Sequence, residues 1–574
     1  MMKELCTFFI GQAGVQAASA VWEMLCLEHG VCRDGTIQYE PTLQEHRELN
    51  TVFEQLTPHE KYVPRAILAD LEPSVIDEVR DGAYKGLFNP ETLLAGMEDA
   101  AGNFARGYYT LGGKVVGALI NSMRRMIEKC DNFEGTMTFS ALGGGTGSGL
   151  LSMFQERACL EFAGRRMLQF SIVPSDQMAI GPVEVYNCMH HLYHSSDFCD
   201  LNIFLDNSAL FNICTKELAV VRPTYTTVNR VIGPLVAGLT ASVRFKCNIN
   251  GTISEFLTNL IPFPAIHYPM ITFVPFCTDM EAERSRYTTP ILTRMVFKPD
   301  YRTVTAMLDE GVTLATCLTY RGHHSVFEIL QTLEGMREER ANIVDWCPTA
   351  FKVAYTPQPP VLIPGMGPEK ITRSLVMITN STAISEVFSR AEIAFLNLFS
   401  KRAFLHWYVG EGMEMEEFTD ALEKVRNTAA DIIALETESL NAMQAARKDD
   451  DDEEGEEGEE GQDEEEECEG HEGGDVGYTP TARRAAARTN TTASIVTPRR
   501  LNMRGTRNTA TTAPPLYQLM NYPECPVEQE TTLQSRPRMR KNKNKISLGE
   551  QIGAGSLAPQ DCPCHSEGQQ CTNC

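Results

Sequence analysis

Short runs of apolar residues alternate with helical stretches along the first 206 residues. The apolar runs cover residues 5–10, 66–71, 137–142, 167–173 and 201–205. Because each has the length of a buried strand, the alternation predicts an α/β domain with a parallel sheet over residues 1–206. Ligands of parallel sheets bind beyond the carboxyl ends of the strands, where Gln12, Asp70, Gly143 and Glu184 fall in this interpretation.

The pattern beyond residue 206 predicts two further folded regions. A linking helix that starts near Ser208 or Thr227 leads into a mixed α/β middle domain, over residues 207–384. Residues 385–447 form C-terminal surface helices. Within them, apolar residues recur at amphipathic helical spacing, at Phe418, Leu422, Val425, Ala429, Ile432 and Leu435.

A glycine-rich loop separates the apolar run 137–142 from a helical run over residues 150–162. It consists of Gly143, Gly144, Gly145, Thr146, Gly147, Ser148 and Gly149. Its glycines let the backbone turn tightly, so successive N–H groups and the start of the helix can converge on a phosphate. The loop matches neither a Walker loop nor the dinucleotide fingerprint. A flexible linker is the alternative, although linkers rarely lie directly between a strand and a helix.

The composition is typical of a folded protein. The chain has 574 residues, of which 43% are hydrophobic, enough for sizeable cores. Its 18 cysteines show no paired framework along the body of the chain, which predicts reduced thiols in the cytoplasm. The apolar run 5–10 is too short for a signal peptide, and no run is long enough to predict a membrane span.

The net charge of −25 is concentrated in one segment. Residues 449–475 contain 18 acidic residues and no Lys or Arg. Like charges at this density repel each other and bury nothing, so we expect residues 448–475 to be an acidic disordered tail. From composition, a solubilising spacer and an interaction tail are both possible.

Residues 476–574 reverse the charge and are rich in Thr, Pro, Asn and Arg. Thirteen Lys and Arg residues against six acidic ones predict a basic, disordered extension. The sequence leaves open whether it folds back on the acidic tail or contacts RNA, a membrane surface or a neighbouring filament. Near its end, Cys562, Cys564, His565, Cys571 and Cys574 are zinc ligands by type, and a free or lipidated cysteine cluster is the alternative.

Motifs in a fixed order identify a family. They include Gly11-Gln12-Ala13-Gly14, Asp70-Leu71-Glu72-Pro73, Glu98-Asp99-Ala100-Ala101, Arg222-Pro223-Thr224-Tyr225 and Arg402-Ala403-Phe404-Leu405-His406-Trp407. With the glycine-rich loop, they make residues 1–440 resemble the tubulin family. Gly-Gln-Ala-Gly in place of the Gly-Gln-Cys-Gly of beta chains, and the retained loop at 360–369, make the chain similar to alpha chains.

The resemblance implies that the chain binds GTP and Mg²⁺. The residues it places around GTP are Gln12, Ala13, Gln16, Asp99, Ala100, Gly143, Gly144, Gly145, Thr146, Gly147, Ser148, Glu184, Asn207, Tyr225 and Asn229. Within this set it assigns the ribose to Glu184, the guanine edge to the two asparagines and stacking on the base to Tyr225. Asp70 and Glu72 lie where the family positions Mg²⁺, an ion that prefers oxygen ligands.

The resemblance also implies a catalytic role for Glu255. In alpha chains the matching glutamate orients or activates water against the GTP of the next beta subunit, whereas beta chains carry Lys there. The chain's own GTP, at the alpha–beta interface, is then held without hydrolysis. Taken alone, a surface glutamate without a role is the alternative.

Some positions depart from the alpha pattern. Gly102 replaces an Asn near the terminal phosphate, and Ala179-Ile180 replace a Ser-Thr pair, so we expect some hydrogen bonds to GTP to be missing. The loop 280–286 lacks the aromatic and His residues of the family's lateral contact.

We therefore predict an alpha-tubulin-like, GTP-binding structural subunit of cytoplasmic microtubules. It pairs with beta-tubulin and forms a composite GTPase site on polymerisation. Its acidic tail is expected to bind motors and microtubule-associated proteins in contacts that salt weakens, and no DNA partner is expected.

The alternative is a divergent tubulin-like GTP-binding protein that associates with dimers or microtubules without entering the lattice. Glu255 favours the lattice subunit, whereas the loop 280–286 and the basic extension favour the alternative. A metabolic enzyme with a dinucleotide cofactor is disfavoured, because the fingerprint for that cofactor is missing.

Overall fold

The computed structural model describes residues 3–37, 39, 41–56, 61–175, 181–278, 287–308, 311–339, 342–344, 346–347, 351–363 and 371–463. At residues 43, 337–339 and 443–463 the description covers the backbone. The chain divides into the units Met1–His471 and Glu472–Cys574, and the second lies outside the described residues. Also outside them lie Ala179-Ile180, the loop 280–286, part of the loop 360–369 and the cysteine–histidine cluster.

A parallel sheet forms the centre of the first 206 residues, as predicted. The strands of the described chain are β1 (Glu4–Ile10), β2 (Phe53–Leu56), β3 (Lys61–Pro64), β4 (Ala66–Asp70), β5 (Leu93–Ala95), β6 (Phe133–Ala141), β7 (Arg166–Val173), β8 (Leu201–Asp206), β9 (Met270–Val274), β10 (Thr313–Gly322), β11 (Phe351–Thr356) and β12 (Arg373–Ser381). The main sheet has the order β5-β4-β1-β6-β7-β8, and all its pairs are parallel. The hairpin β2-β3 forms a separate two-stranded sheet.

Strand β1 shows why the apolar runs become strands. All seven of its residues are buried, because helices cover both faces of the sheet. Leu5 and Phe9 pack into one apolar cluster, whereas Cys6 and Phe8 pack into a second cluster on the other face. A continuous apolar run is therefore the pattern that a central parallel strand requires.

Helices follow most strands of the main sheet. They are α1 (Gly11–His29), α2 (Leu43–Asn50), α3 (Pro73–Asp81), α4 (Gly112–Glu128), α5 (Leu151–Glu161), α6 (Glu184–Phe198), α7 (Asn207–Lys216), α8 (Tyr225–Arg244), α9 (Ile253–Leu260), α10 (Thr289–Val296), α11 (Val326–Glu339), α12 (Ser385–Phe399), α13 (Leu405–Val409) and α14 (Met415–Asp463). None of them, within the described residues, combines the length and apolarity needed to cross a bilayer.

The connection into the middle region contains two helices, and the two predicted starts of the linking helix fall in their first turns, Ser208 in α7 and Thr227 in α8. The longer of the two, α8, corresponds to the start near Thr227. Helix α8 packs against α1 and against the second sheet, which has the order β11-β10-β12-β9. In this mixed sheet β10 and β11 are parallel, and the other pairs are antiparallel.

The last helix confirms the amphipathic pattern and extends beyond the predicted boundary. Phe418, Val425, Ala429 and Ile432 are buried, as their spacing indicates. The backbone of α14 stays helical to Asp463, inside the acidic segment, whereas the sequence placed the end of the helical region at residue 447. Glutamate is a good helix former, which offsets part of the repulsion between neighbouring charges. Residues 464–475 and the basic extension lie outside the described residues.

A buried ion-pair cluster ends helix α1. Glu28 Oε1 accepts a hydrogen bond from Arg321 Nη1 of β10 at 2.7 Å, and Glu28 Oε2 accepts one from Arg244 Nη2 of α8 at 2.6 Å. His29 Nε2 lies 3.0 Å from Arg244 Nη1, and its ring stacks on Phe245. The cluster thus joins α1 to α8 and to the second sheet.

Candidate functional site

The carboxyl ends of the main-sheet strands form one edge at which several helices begin. Helix α1 begins at Gly11, directly after β1, and α7 begins at Asn207, directly after β8. The glycine-rich loop leads from β6 into a π-helical turn, Thr146–Leu150, and then into α5. Since the N-terminus of a helix carries a partial positive charge and unpaired N–H groups, this edge favours an anion.

The glycines of the loop serve different purposes. A Cβ on Gly145 would lie 2.5 Å from the Asn103 nitrogen, and one on Gly147 would lie 2.7 Å from the Ala141 oxygen. A Cβ on Gly107 would lie 2.2 Å from the Gly145 oxygen. Gly144, in contrast, has nothing within 4 Å of a Cβ. Close backbone packing therefore requires Gly145, Gly147 and Gly107, while Gly144 faces the open space above the edge.

Asn187 of α6 fixes the loop to its neighbours. Its Nδ2 donates to the carbonyl oxygens of Gly102 and Gly143, each at 2.7 Å. Its Oδ1 accepts from the Phe104 N–H at 2.9 Å and from the Tyr408 hydroxyl at 2.7 Å. One buried amide thereby ties together two loops at this edge and the helix α13.

Thr146 and Ser148 are both buried, and Ser148 is held by a series of polar contacts that runs through His191 to Gln169. Ser148 Oγ donates to the Gly144 oxygen at 2.5 Å. His191 Nδ1 lies 3.1 Å from the Ser148 oxygen, and His191 Nε2 lies 2.6 Å from Gln169 Nε2. These partners favour the tautomer with its proton on Nδ1. Burial lowers the pKa of His191 to about 3, so the ring is neutral at physiological pH.

Asp70 and Glu72 stand at the end of β4 and the start of α3, where oxygen ligands for a cation are available. Asp70 is 2% exposed, and among the described residues its Oδ2 has no hydrogen-bond partner. Burial, with smaller contributions from the Asp99 and Glu72 carboxylates, raises the pKa of Asp70 to about 6. A buried carboxylate oxygen without a partner fits a divalent cation.

The protein supplies only part of such a cation's coordination shell. The described residues contain no cluster of three or more His, Cys, Asp or Glu side chains suited to hold a metal on its own. That arrangement is compatible with Mg²⁺ at a nucleotide site, because this ion takes most of its ligands there from phosphates and water.

The predicted phosphate-side residues lie on the same edge. Gln12, Ala13 and Gln16 occupy the first turns of α1. Asp99 and Ala100 lie in the loop after β5, where Asp99 Oδ2 accepts from the Ala101 N–H at 3.0 Å. Gly102, also in this loop, has a φ of 67° and nothing within 4 Å of a Cβ.

The residues predicted for the ribose and the base follow on the next helices. Glu184 begins α6 and accepts from the Gly181 N–H at 2.9 Å, and a Cβ on Gly143 would lie 3.1 Å from its Cγ. Asn207 begins α7, and Tyr225 and Asn229 share one face of α8, four residues apart. Tyr225 is 46% exposed and packs edge-on against Phe211.

Glu255 lies at the opposite edge of the sheet. It is exposed on the first turn of α9, where its N–H donates to the Thr252 hydroxyl at 3.1 Å and its Oε2 accepts from the Gly251 N–H at 2.7 Å. The Lys3 ammonium, just before β1, donates to the Gly251 oxygen, and Glu134 at the start of β6 accepts from the Ile253 N–H. The amino ends of the strands therefore hold α9.

Sequence reasoning identified the loop and missed its supports. Asn187 appears only as part of an ordinary helix in the sequence, and Tyr408 follows it by 221 residues. Gly107 was equally inconspicuous. Asn187 could have been found only from its position on the face of α6 that packs against the core, because a buried amide requires hydrogen-bond partners.

Comparisons with known proteins agree with this architecture. The Tubulin/FtsZ family GTPase domain matches residues 4–215, and the Tubulin C-terminal domain matches residues 264–393. The tubulin alpha-1 chain of Arabidopsis thaliana is 41% identical over 452 residues, which cover 78% of this chain and 99% of that relative. The chain belongs to the tubulin family.

Within that family the chain is similar to alpha chains. The matched domains and the alpha relative identify a GTP-binding subunit of the microtubule cytoskeleton, with the sequence of a divergent alpha chain that carries a C-terminal extension. The α/β fold predicted from the sequence is confirmed, and the residue-by-residue roles around GTP stay predictions.

Proposed function

We propose that this chain is an alpha-tubulin-like subunit that binds GTP and Mg²⁺ at the carboxyl-end edge of its main sheet and pairs there with beta-tubulin. From the opposite edge it presents Glu255 to the GTP of the next beta subunit. The observation that carries the proposal is the position of Glu255. Strand β6 has nine residues, so the two edges are roughly 30 Å apart, and Glu255 cannot reach a nucleotide held by its own chain.

In this proposal the glycine-rich loop and the start of α1 hold the phosphates through backbone N–H groups. Asp70 and Glu72 hold Mg²⁺ directly or through water, and the bound ion supplies charge neutralisation at the phosphates. Glu184 binds the ribose, Asn207 and Asn229 bind the guanine edge, and Tyr225 stacks on the base. An amide side chain both donates and accepts, as a guanine edge requires.

Exposed aromatic side chains at both edges support head-to-tail assembly. Trp407 is 62% exposed, and its carbonyl oxygen accepts from Asn103 Nδ2 at 3.0 Å, beside the glycine-rich loop. On the other side, Phe263 follows α9 and packs edge-on against Trp346 at 5.9 Å, and both are exposed. Contacts between unlike surfaces propagate into a filament when the rotation from one subunit to the next does not close them into a ring.

The local structure of α9 suits Glu255 to a role in trans. Thr252 caps the helix, and the bond from Gly251 orients the carboxylate on a rigid first turn. An oriented, exposed carboxylate is the group that positions or activates a water for attack on a γ-phosphate. The chain's own GTP, remote from this residue, is held without hydrolysis.

The Glu255→Gln variant tests the catalytic part. Co-assembled with beta-tubulin, it should reduce GTP turnover in the polymer by about a hundredfold, the usual size of a lost general base, while GTP binding by the unassembled dimer is unchanged. Glu128→Gln is the matched control, since Glu128 is an exposed glutamate near the start of β6. Equal turnover in the two variants would refute the role of Glu255.

The assembly part is tested by co-sedimentation with beta-tubulin-containing microtubules over a salt series. A lattice subunit should pellet with or without residues 472–574, and salt should not release it. Pelleting that needs this segment and disappears with salt would instead support surface association without lattice entry.

Helix α14 is the proposed contact for motors and microtubule-associated proteins. Opposite its buried stripe, Glu416, Asp420, Glu423 and Asp431 are exposed and form an acidic surface on the part of α14 that precedes the acidic segment. Such a surface attracts basic partners over a distance that salt shortens.

A further inference from the structure

Two cysteines and an arginine meet at the amino-end edge of the main sheet. Cys6 lies in β1 and is fully buried, and Cys130 lies between α4 and β6 and is partly exposed. The Glu4 N–H donates to the Asn132 oxygen at 3.1 Å, so the segment that carries Cys130 runs beside the start of β1. Both sulfurs pack into the same apolar cluster.

Arg65 directs a fixed cation at one of the two thiols. It is 5% exposed, and its Nη1 donates to Cys130 Sγ at 3.4 Å. Its Nε donates to the Asn50 oxygen at 3.2 Å, and its Nη2 pairs with Glu4 Oε1 at 3.3 Å. These two further bonds hold the guanidinium in place, so its charge stays at the sulfur.

The two thiols are chemically unequal as a result. The interaction between the two thiols, together with Arg65, lowers the pKa of Cys130, whereas the same interaction and burial raise the pKa of Cys6. Elsewhere in the described chain, burial raises the pKa of Cys188 and of Cys317 to about 12, which makes those thiols unreactive. Cys130 is thus both partly accessible to solvent and activated as a nucleophile by its lowered pKa.

We propose that Cys130 and Cys6 form a peroxide-reactive dithiol, in which Cys130 is the attacking thiol and Cys6 the resolving one. The Cys130 thiolate attacks hydrogen peroxide, an S–O bond forms, the O–O bond breaks, and the hydroxide released takes up a proton as water. The Cys6 sulfur then attacks Cys130 Sγ, and an S–S bond replaces the S–O bond. The proton of Cys6 leaves with the hydroxyl as a second water.

The disulfide formed in this way ties β1 to the connection between α4 and β6. Lys3, three residues before Cys6, donates to the Gly251 oxygen next to α9. Oxidation therefore acts close to the edge that holds α9 and Glu255.

The test treats the full-length chain with hydrogen peroxide and maps its peptides by mass spectrometry. We expect a linked peptide pair, two hydrogens lighter than the sum of its parts, that joins Cys6 and Cys130. In Cys6→Ser the Cys130 sulfenic acid should persist and be trapped by dimedone, and in Cys130→Ser the Cys6 thiol should stay unmodified. Absence of the linked pair in the wild type would overturn the proposal.

A rate comparison tests the activation by Arg65. At neutral pH, Cys130 of the wild type should react several-fold faster than the exposed Cys159, because a lowered pKa enlarges the thiolate fraction of Cys130. Arg65→Gln, which removes the charge, should reduce this advantage, and Cys159 in the same sample is the internal control. If Arg65→Gln fails to fold, the pH profile of the wild type decides, since the rate for Cys130 should rise at a lower pH than that of free cysteine under the same conditions. Equal rates of Cys130 and Cys159, together with a pH profile like that of free cysteine, would refute the proposal.

Discussion

The two edges of the main sheet are held together in different ways. At the carboxyl-end edge, backbones touch through glycines, and one buried amide, Asn187, joins the loops. At the amino-end edge, α9 is held by a threonine cap and by side chains near the surface, such as Glu134. We therefore expect substitutions at the edge proposed to bind a nucleotide to destabilise the fold more than substitutions around α9, at the edge proposed to face a partner.

The largest expected effect comes from adding a methyl group to the close-packed edge. Gly107→Ala places a Cβ 2.2 Å from the Gly145 oxygen, so the loop must shift. We expect a loss of more than about 3 kcal/mol in the free energy of unfolding, and loss of bound GTP. Gly117→Ala is the control, because nothing lies within 4 Å of its Cβ. Nucleotide content after purification and thermal unfolding measure both effects.

Removing the buried amide should have the next largest effect. Asn187→Ala leaves two carbonyl oxygens and the Phe104 N–H without their partner, and the Tyr408 hydroxyl keeps only its 3.3 Å bond to the Val183 oxygen. This should cost about 3 kcal/mol and weaken GTP binding. Tyr408→Phe removes the bond to Asn187 and a longer one to the Val183 oxygen, and should cost about 1 kcal/mol. A GTP titration and denaturant unfolding of both variants give the comparison, and equal losses would contradict it.

At the same edge, Asp70→Asn should raise the free energy of unfolding, whereas Gly107→Ala and Asn187→Ala lower it. The folded-state pKa of Asp70, about 6, lies above its ordinary value of 3.8, so the folded chain binds the proton more tightly. Without Mg²⁺, the free energy of unfolding therefore falls as pH rises from about 4 to about 6 and stays low at neutral pH.

The Asn variant lacks this fall, so at pH 7 in EDTA it should be about 3 kcal/mol more stable than the wild type. Binding of GTP in the presence of Mg²⁺ should at the same time be at least about tenfold weaker. Thermal unfolding over this pH range measures the first effect and a titration measures the second. The same pH dependence in the wild type and in Asp70→Asn would show that the pKa of Asp70 is not raised in the folded chain.

The smallest effect is expected at the other edge. Thr252→Ala removes the cap of α9 and should cost about 1 kcal/mol without any change in GTP affinity. Thr258→Ala, whose hydroxyl bonds to the Ser254 oxygen in the same helix, should change stability by less than about 0.5 kcal/mol. A fall in GTP affinity for Thr252→Ala would contradict the expectation that substitutions at this edge leave GTP binding unchanged.

The sequence predicted what is encoded locally. Buried parallel strands require uninterrupted apolar runs, so β1, β4, β6, β7 and β8 were recognisable within a few residues of their ends. The glycine-rich loop was recognisable because a flexible linker, the alternative explanation of its composition, rarely lies directly between a strand and a helix. Once these strands are parallel, their carboxyl ends meet at one edge, and most predicted site residues follow from that.

What the sequence did not predict depends on contacts between distant segments. Nothing near Asn187 indicates that it binds Gly102, Gly143 and Tyr408. Cys6 and Cys130 were counted among scattered reduced thiols, since only the pairing of β1 with β6 brings them together. The end of α14 was placed too early, because dense charge predicts repulsion while helix propensity continues the backbone to Asp463.

Helix α1 acts as a strut between the two halves of the folded unit. Its 19 residues span about 28 Å, from Gly11 against the backbone of Gly147 to Glu28 between Arg244 and Arg321. Both ends are closely packed, because Gly11 contacts the backbone of Gly147 and Glu28 forms two short ion pairs. A displacement of the glycine-rich loop along the axis of α1 would therefore also disturb the ion pairs that join this helix to α8 and β10.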